Sequence, residues 1–223
     1  CMPEGGVQSF RHEDVLSYEE IVRVVRQAAA LGVKHLRVTG GEPMARKGCL
    51  ELVDMLHHIP GIETIALTTN GLLLDGRIAE AKAKGLTSLN ISMDSVDAET
   101  FRAMTRGGDV NTVLRVIDEA LAAGLKVKIN AVPVRGMNDE GLTQVAELAR
   151  TRPICVRFIE LMPLGCGKGL APIPTDEMMA RMEAAFGAMA ADTSVHGYGP
   201  AKYVRPAGFV GSLGFISPLS HEF

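Results

Sequence analysis

The chain has 223 residues, of which 47% are hydrophobic and 22% charged, and its formal net charge is −3. That length suffices for one domain with a sizeable core, or for one domain and part of another. The acidic balance excludes generic nucleic-acid or membrane-surface binding, which calls for a basic excess, and there is no run of about 18 apolar residues to span a bilayer.

The first predicted element is a helix over Ser17–Leu31. Ser17 and Glu20 form a capping box. Ile21, Val24, Val25, Ala28 and Leu31 recur at helical spacing, and Gly32 is a stop. A strand over Lys34–Thr39 follows, then a helix over Cys49–His58 and a strand over Thr64–Thr69. Next come a helix over Asp75–Lys84, a strand over Ser88–Met93 and helices over Ala98–Thr105 and Thr112–Ala123. The last of these has Val113, Leu114, Ile117 and Leu121 apolar, with Gly124 at its end. A strand over Lys126–Val132, a helix over Asp139–Thr151, a strand over Ile154–Leu161 and a helix over Thr175–Phe186 complete the regular part. Met178, Met179, Met182 and Met189 read as core. From His196 to Phe223 the density of Gly and Pro predicts turns and short antiparallel strands. Five strand-then-helix units imply an α/β fold with a parallel sheet, either a doubly wound open sheet or a barrel.

The strands carry an anomaly. Parallel strands are usually apolar on both faces, yet four of these alternate. His35, Arg37 and Thr39 share a face, as do Ala66, Thr68 and Asn70, then Ser88, Asn90, Ser92 and Asp94, then Lys126, Lys128 and Asn130. If the apolar face meets the helices, the polar face lines the middle of a barrel. Each unpaired buried polar group costs about 1–3 kcal/mol, so such a lining needs a ligand, water or mutual pairing. The competing reading is a set of strands solvated on one side.

Several motifs sit at strand ends, where α/β active sites form. Thr39-Gly40-Gly41-Glu42-Pro43 follows the first strand. Its glycines admit close approach of backbone to a ligand, and Glu42 can accept from an ammonium group. Thr68-Thr69-Asn70-Gly71 follows the second strand, and Met162 stands at a strand end before Pro163. Arg37 and Lys128 point the way the polar lining points. Cations there want an anion, and a phosphate fits; the alternative is a charge that snorkels to water. The cysteines Cys1, Cys49, Cys155 and Cys166 are irregularly spaced and contain no CxxC pair, which reads as reduced thiols of a cytoplasmic protein. Cys1 is a possible thiolate ligand. The histidines His12, His57, His58, His196 and His221 look ordinary, and no HExxH, phosphate-binding loop or dinucleotide fingerprint is present.

Taken in order, Cys1-Met2-Pro3, Leu16–Ile21, Leu36–Pro43, Leu67–Leu74, Leu89–Val96, Ile129–Asp139, Val156–Gly165 and Gly214–Ser220 resemble the GTP 3′,8-cyclases of molybdenum cofactor biosynthesis, a family of radical S-adenosylmethionine (SAM) enzymes. The resemblance covers essentially the whole chain. It implies an incomplete (β/α)6 barrel in which three cysteines hold a [4Fe–4S] cluster that binds SAM. A 5′-deoxyadenosyl radical then takes a hydrogen from C3′ of GTP, and C3′ bonds to C8 to give (8S)-3′,8-cyclo-7,8-dihydroguanosine 5′-triphosphate. It implies that Cys1 is the third cluster ligand, that Gly40, Gly41, Glu42, Ser92 and Met162 contact SAM, and that Arg37, Thr68 and Lys128 contact GTP. It further implies a partial barrel over residues 1–190, the beginning of a second-cluster domain over 191–223, an electron donor and a homodimer. Cys49, Cys155 and Cys166 match no family ligand.

Two cluster cysteines are expected before Cys1 and the second cluster's cysteines after Phe223, so this chain reads as a piece of a longer protein and is expected to be inactive by itself. One thiolate does not hold a cubane that wants three or four. Rival readings are another radical SAM enzyme such as a peptide-modifying maturase, a non-catalytic SAM- or nucleotide-binding barrel, and an aldolase-type barrel with Lys128 as the Schiff-base lysine. Lys128 within Lys128-Ile129-Asn130, Arg37, and the Arg157–Pro163 and Gly214–Pro218 segments favour the cyclase.

Overall fold

A computed structural model describes residues 14–194 and 199–217 of the chain. Every strand and helix predicted before residue 190 is present. In chain order they are α1 (Tyr18–Ala30), β1 (His35–Val38), α2 (Cys49–His57), β2 (Thr64–Thr69), α3 (Ile78–Ala83) and β3 (Ser88–Ser92). They continue with α4 (Ala98–Thr105), α5 (Val110–Ala122), β4 (Lys126–Ala131), α6 (Leu142–Thr151), β5 (Cys155–Ile159) and α7 (Thr175–Phe186). β6 (Met189–Ala191), β7 (Lys202–Pro206) and β8 (Ser212–Ile216) end the list.

The helix ends follow local chemistry. The capping box of α1 forms as its sequence predicts: Glu20 N–H donates to Ser17 Oγ at 3.2 Å and Ser17 N–H to Glu20 Oε2 at 2.8 Å. Helix α5 starts two residues earlier than predicted, because the Asp109 carboxylate caps it through the Asn111 N–H at 3.1 Å. Helix α3 is shorter than predicted. A 3-10 turn at Leu72–Leu74 precedes it, and its cap residue Arg77 makes no side-chain capping bond.

The sheet has the order β1-β2-β3-β4-β5-β8-β7-β6. The first five strands are parallel, and β8 joins parallel to β5, whereas β7 and β6 run antiparallel. The antiparallel pairing expected after His196 is therefore present in β7–β8. The parallel pairing of β8 with β5 was not expected; it adds a sixth parallel strand. β1 and β6 stand at opposite ends of the order, so the sheet does not close among the described residues, and the fold agrees with the incomplete parallel (β/α)6 barrel that the family resemblance implies.

One set of alternate residues carries the core. Ile65, Leu67, Leu89, Ile91, Val127, Ile129, Val156, Phe158, Leu213 and Phe215 are buried in one cluster with Leu50 and Val53 of α2, Val113 and Ile117 of α5, and Met178 and Met182 of α7. Each such side chain contributes about 1.5–3 kcal/mol on burial, so this face drives folding. The other set is left for chemistry.

Candidate active site

The register aligns that second set into rows. Thr68, Asn90, Lys128, Cys155 and Ser212 are neighbours across β2, β3, β4, β5 and β8. Nearer the strand ends, Ser92, Asn130, Arg157, Gly214 and Tyr203 form the next row, across β3, β4, β5, β8 and β7. Arg37 lies one row earlier, beside Ala66, Ser88 and Lys126. The predicted polar face is thus real, and it brings Thr68, Ser92 and Lys128 onto adjacent strands.

Its centre is cationic. Arg157 is 6% exposed and donates from Nη2 to Asn90 Oδ1 at 2.8 Å. That bond passes over β4, two strand spacings or about 9.5 Å, so the guanidinium lies above the strand that carries Lys128. Burial holds the Lys128 ammonium below its usual pKa, and the nearby Arg157 and Arg37 guanidinium groups add to the effect. Burial likewise lowers Arg157, with Arg37 contributing. Arg157 Nε and Asn130 Oδ1 are buried with no hydrogen-bond partner among the described residues. Cations on neighbouring strands, with an orphaned donor and acceptor on the same face, have the chemistry that an anionic, hydrogen-bonding ligand would answer. Cys155 is in the same row as Lys128, but burial pushes its thiol up to about 12, so it is an inert neutral group there.

The loops at the strand ends are tied to one another. Glu42 takes three hydrogen bonds: Oε1 from Met44 N–H at 3.0 Å and Thr69 Oγ1 at 2.8 Å, and Oε2 from Asn70 N–H at 2.7 Å. It therefore staples the turn after β1 to the turn after β2. A carboxylate offers about four acceptor sites, so one remains for an ammonium group. Asn138, 4% exposed, does similar work after β3 and β4. Its Nδ2 donates to the Asp94 and Val132 carbonyls, and its Oδ1 accepts from Val134 N–H at 2.8 Å. Asp94 accepts from Val132 N–H at 2.7 Å, and burial raises its pKa. Buried Glu160, just beyond β5, accepts from Thr175 N–H at the start of α7 at 2.8 Å.

Gly40 and Gly41 sit on the exposed loop after β1. Neither has a positive φ, and a methyl group added to either meets no described atom within 4 Å. Neither backbone conformation nor packing within the described residues calls for glycine there. The loop backbone is left open at both positions, with room for a ligand to approach it. A cavity of about 430 Å³ flanks this loop, lined by Arg37, Gly40, Gly41 and Glu42 and by apolar residues of α1 and α2. Ser92 is exposed as the last residue of β3, and Met162 is 45% exposed after β5. An open glycine backbone with exposed polar and thioether groups at the strand ends fits SAM. Cys1 lies outside the described residues. Among those described, no group of three or more His, Cys, Asp or Glu is placed to hold a metal ion, and Cys49 and Cys155 are buried thiols.

The sequence matches the Radical SAM superfamily over residues 1–149. The GTP 3′,8-cyclase of Pelotomaculum thermopropionicum is 45% identical over all of this chain and 70% of its own length. The GTP 3′,8-cyclase of Moorella thermoacetica is 42% identical, with the same coverage. This chain belongs to the GTP 3′,8-cyclase family of radical SAM enzymes. Among solved structures the cyclase chain is similar to methylornithine synthase, with a TM-score of 0.56 and 20% identity over 68% of this chain and 45% of that one. It is also similar to Streptococcus suis SuiB bound to S-adenosylmethionine, with a TM-score of 0.55 and 19% identity over 68% of this chain and 35% of that one. At those identities the likeness speaks for the fold alone.

Four residues of this polar face were given no role by sequence reasoning. Asn90 and Asn130 were placed on the polar face without a role, and Arg157 and Tyr203 were not placed there at all. For Arg157 the signal exists. Cys155, Arg157 and Ile159 alternate with Val156 and Phe158, so the fifth strand continues the pattern of the other four. For Tyr203 no local signal exists, because its place depends on a pairing across β8.

Proposed function

We propose that this chain is the barrel of a radical SAM GTP 3′,8-cyclase, which converts GTP to (8S)-3′,8-cyclo-7,8-dihydroguanosine 5′-triphosphate in the first step of molybdenum cofactor biosynthesis. The observation that carries the assignment of the substrate to this face is its cation group, buried Arg157 with half-buried Lys128 and exposed Arg37, around an Arg157 Nε that has no partner among the described residues. In this reading Arg37, Lys128 and Arg157 bind the triphosphate, and Thr68 orients the nucleoside from the adjoining strand. Gly40 and Gly41 admit SAM against the loop backbone, Glu42 accepts from its ammonium through its remaining lone pair, and Ser92 and Met162 complete the contact.

When bound, the [4Fe–4S] cluster and SAM supply the electron and the radical chemistry. Cys1 is the cluster ligand that this chain contributes. The protein's own task is placement: the apolar helix-side core fixes the strand register, and the register fixes which substrate hydrogen faces the cofactor, so proximity selects the bond that breaks.

We assign residues 1–190 to the barrel and 191–223 to the beginning of the second-cluster domain, a segment that also supplies β7 and β8 to the sheet. An external electron donor and a homodimer belong to the same proposal. No helix among the described residues is long and apolar enough to cross a membrane. The maturase and non-catalytic alternatives are less favoured, because cyclases match over the full chain.

The test is an anaerobic assay of the full-length protein, reconstituted with iron and sulfide and supplied with SAM, dithionite and GTP. Mass spectrometry is expected to find 5′-deoxyadenosine together with a cyclised isomer of GTP. Deoxyadenosine without GTP turnover would move the substrate assignment elsewhere in the superfamily.

A further inference from the structure

Arg157 is held from both sides by uncharged groups. On one side, two strands away, the Asn90 carboxamide accepts from Nη2 at 2.8 Å. On the other, across β8, the Tyr203 phenol stands beside the same guanidinium, where its oxygen can accept from it. The residue between them in the register is Gly214. A Cβ there would lie 2.8 Å from the Tyr203 ring and 3.1 Å from Arg157 Cγ, so only a glycine on β8 lets the phenol and the arginine meet without displacement.

The chemical choice is informative. An arginine that serves only the fold is usually secured by a carboxylate, which fixes the guanidinium and cancels its charge. A carboxamide and a phenol fix it and leave the charge in place. Nε, meanwhile, is buried with no partner among the described residues. We propose that Asn90 and Tyr203 are positioning residues that clamp the Arg157 guanidinium, still fully charged, toward the substrate's polyphosphate, and that Gly214 is the gap through which Tyr203 reaches it. The proposal rests on the reading of this face as the GTP site.

Two conservative variants separate a charge-preserving clamp from a structural one. Tyr203→Phe removes one oxygen and keeps the ring. Asn90→Asp keeps the geometry and adds the charge that the natural clamp avoids. GTP and guanosine binding are measured by equilibrium dialysis on the full-length, cluster-loaded protein at two salt concentrations, with Lys128→Ala as the control for the face itself. Tyr203→Phe is expected to weaken GTP about tenfold or more, the worth of one hydrogen bond to a charged group, and to leave guanosine binding unchanged. In turnover KM for GTP should rise more than kcat falls. Asn90→Asp is expected to weaken GTP at least about tenfold even though it pairs more strongly with Arg157, because that pairing neutralises the charge offered to phosphate. A merely structural clamp predicts the reverse for Asn90→Asp, and equal effects on GTP and guanosine. If Asn90→Asp does not fold, Tyr203→Phe decides. Unchanged GTP affinity in the variants that fold, with affinity lost in Lys128→Ala, overturns the clamp and leaves the site. Equal binding of GTP and guanosine by the unaltered protein overturns the site, and the clamp with it.

Discussion

Removing the Glu42 carboxylate tests whether this residue belongs to the fold, to the ligand or to both. Its three hydrogen bonds, at 2.7, 2.8 and 3.0 Å, join the turns after β1 and β2. Bonds to an ionised acceptor contribute about 1.5–3 kcal/mol each, and half-burial of Glu42 argues for the lower end. In Glu42→Gln the remaining carbonyl oxygen still accepts from Met44 N–H and the Thr69 hydroxyl. The amide nitrogen, however, faces Asn70 N–H, donor against donor. One bond is lost outright, so the expected destabilisation is about 2 kcal/mol. Glu42→Ala loses all three bonds, and water recovers part of the loss at the two backbone donors, which gives about 3–4 kcal/mol. Urea unfolding of the 223-residue chain, without nucleotide or cofactor and followed by circular dichroism, measures both. The expected order is wild type, then Gln, then Ala. If Glu42→Gln unfolds within about 0.5 kcal/mol of wild type, the Asn70 bond contributes nothing; if Glu42→Ala does so too, the staple contributes nothing and the residue is there for the ligand alone.

Other outcomes follow from the same face. Lys128→Ala should raise the Kd for GTP at least about tenfold and reduce the salt dependence of binding, since one phosphate-facing cation is lost; titration at two ionic strengths checks both. Gly214→Ala should cost about 1–3 kcal/mol in an unfolding titration, the usual penalty of overpacking, because its methyl group lands on Tyr203 and Arg157. Burial pushes Asp192 upward in pKa, but hydrogen bonds from Ser194, Ser212 and Arg205 outweigh it, and the net pKa falls below 3.8. A depressed carboxylate pKa adds stability that is fully present above the unfolded value and is lost as pH falls through the folded one. Asp192→Asn should therefore lower stability at pH 7 and flatten the acid limb of the stability profile below about pH 4. Cys49 and Cys155 should resist iodoacetamide in the native state at pH 8, since both are 4% exposed and burial raises both thiols; peptide mapping should find them labelled only after denaturation.

What sequence could reveal here was decided by range. The capping box at Ser17 and Glu20 is complete within four residues, and the period-two alternation of β2, β3 and β4 within six, so both were legible. The alternation also marked the face on which Thr68, Ser92 and Lys128 meet. The parallel pairing of β8 with β5 was not legible, because the segment reads as Gly- and Pro-rich turns and its partner lies more than fifty residues earlier. Glu42 was legible as a polar group near a ligand loop, but not as a staple: its partners Thr69 and Asn70 are 27 and 28 residues away, and Asn-Gly there reads as a simple turn.

The division of labour between the two faces explains why the polar one tolerates so much cost. Orphaned Arg157 Nε and Asn130 Oδ1 cost about 1–3 kcal/mol each, and crowding three cations adds repulsion. Sixteen or more buried apolar side chains on the helix side outweigh that, each contributing about 1.5–3 kcal/mol before chain entropy is subtracted. The register that packs those side chains is the same one that stacks Thr68, Asn90 and Lys128 in a row, so the core does not merely stabilise the site but sets its spacing. Moving any one strand by a single residue would exchange its two faces. A shift in β4 alone would bury Lys128 among Leu89, Val156 and the α5 valines while turning Ile129 toward the ligand. The hydrophobic cost of that slip guards the site: an error in substrate placement of one residue would first have to break the core.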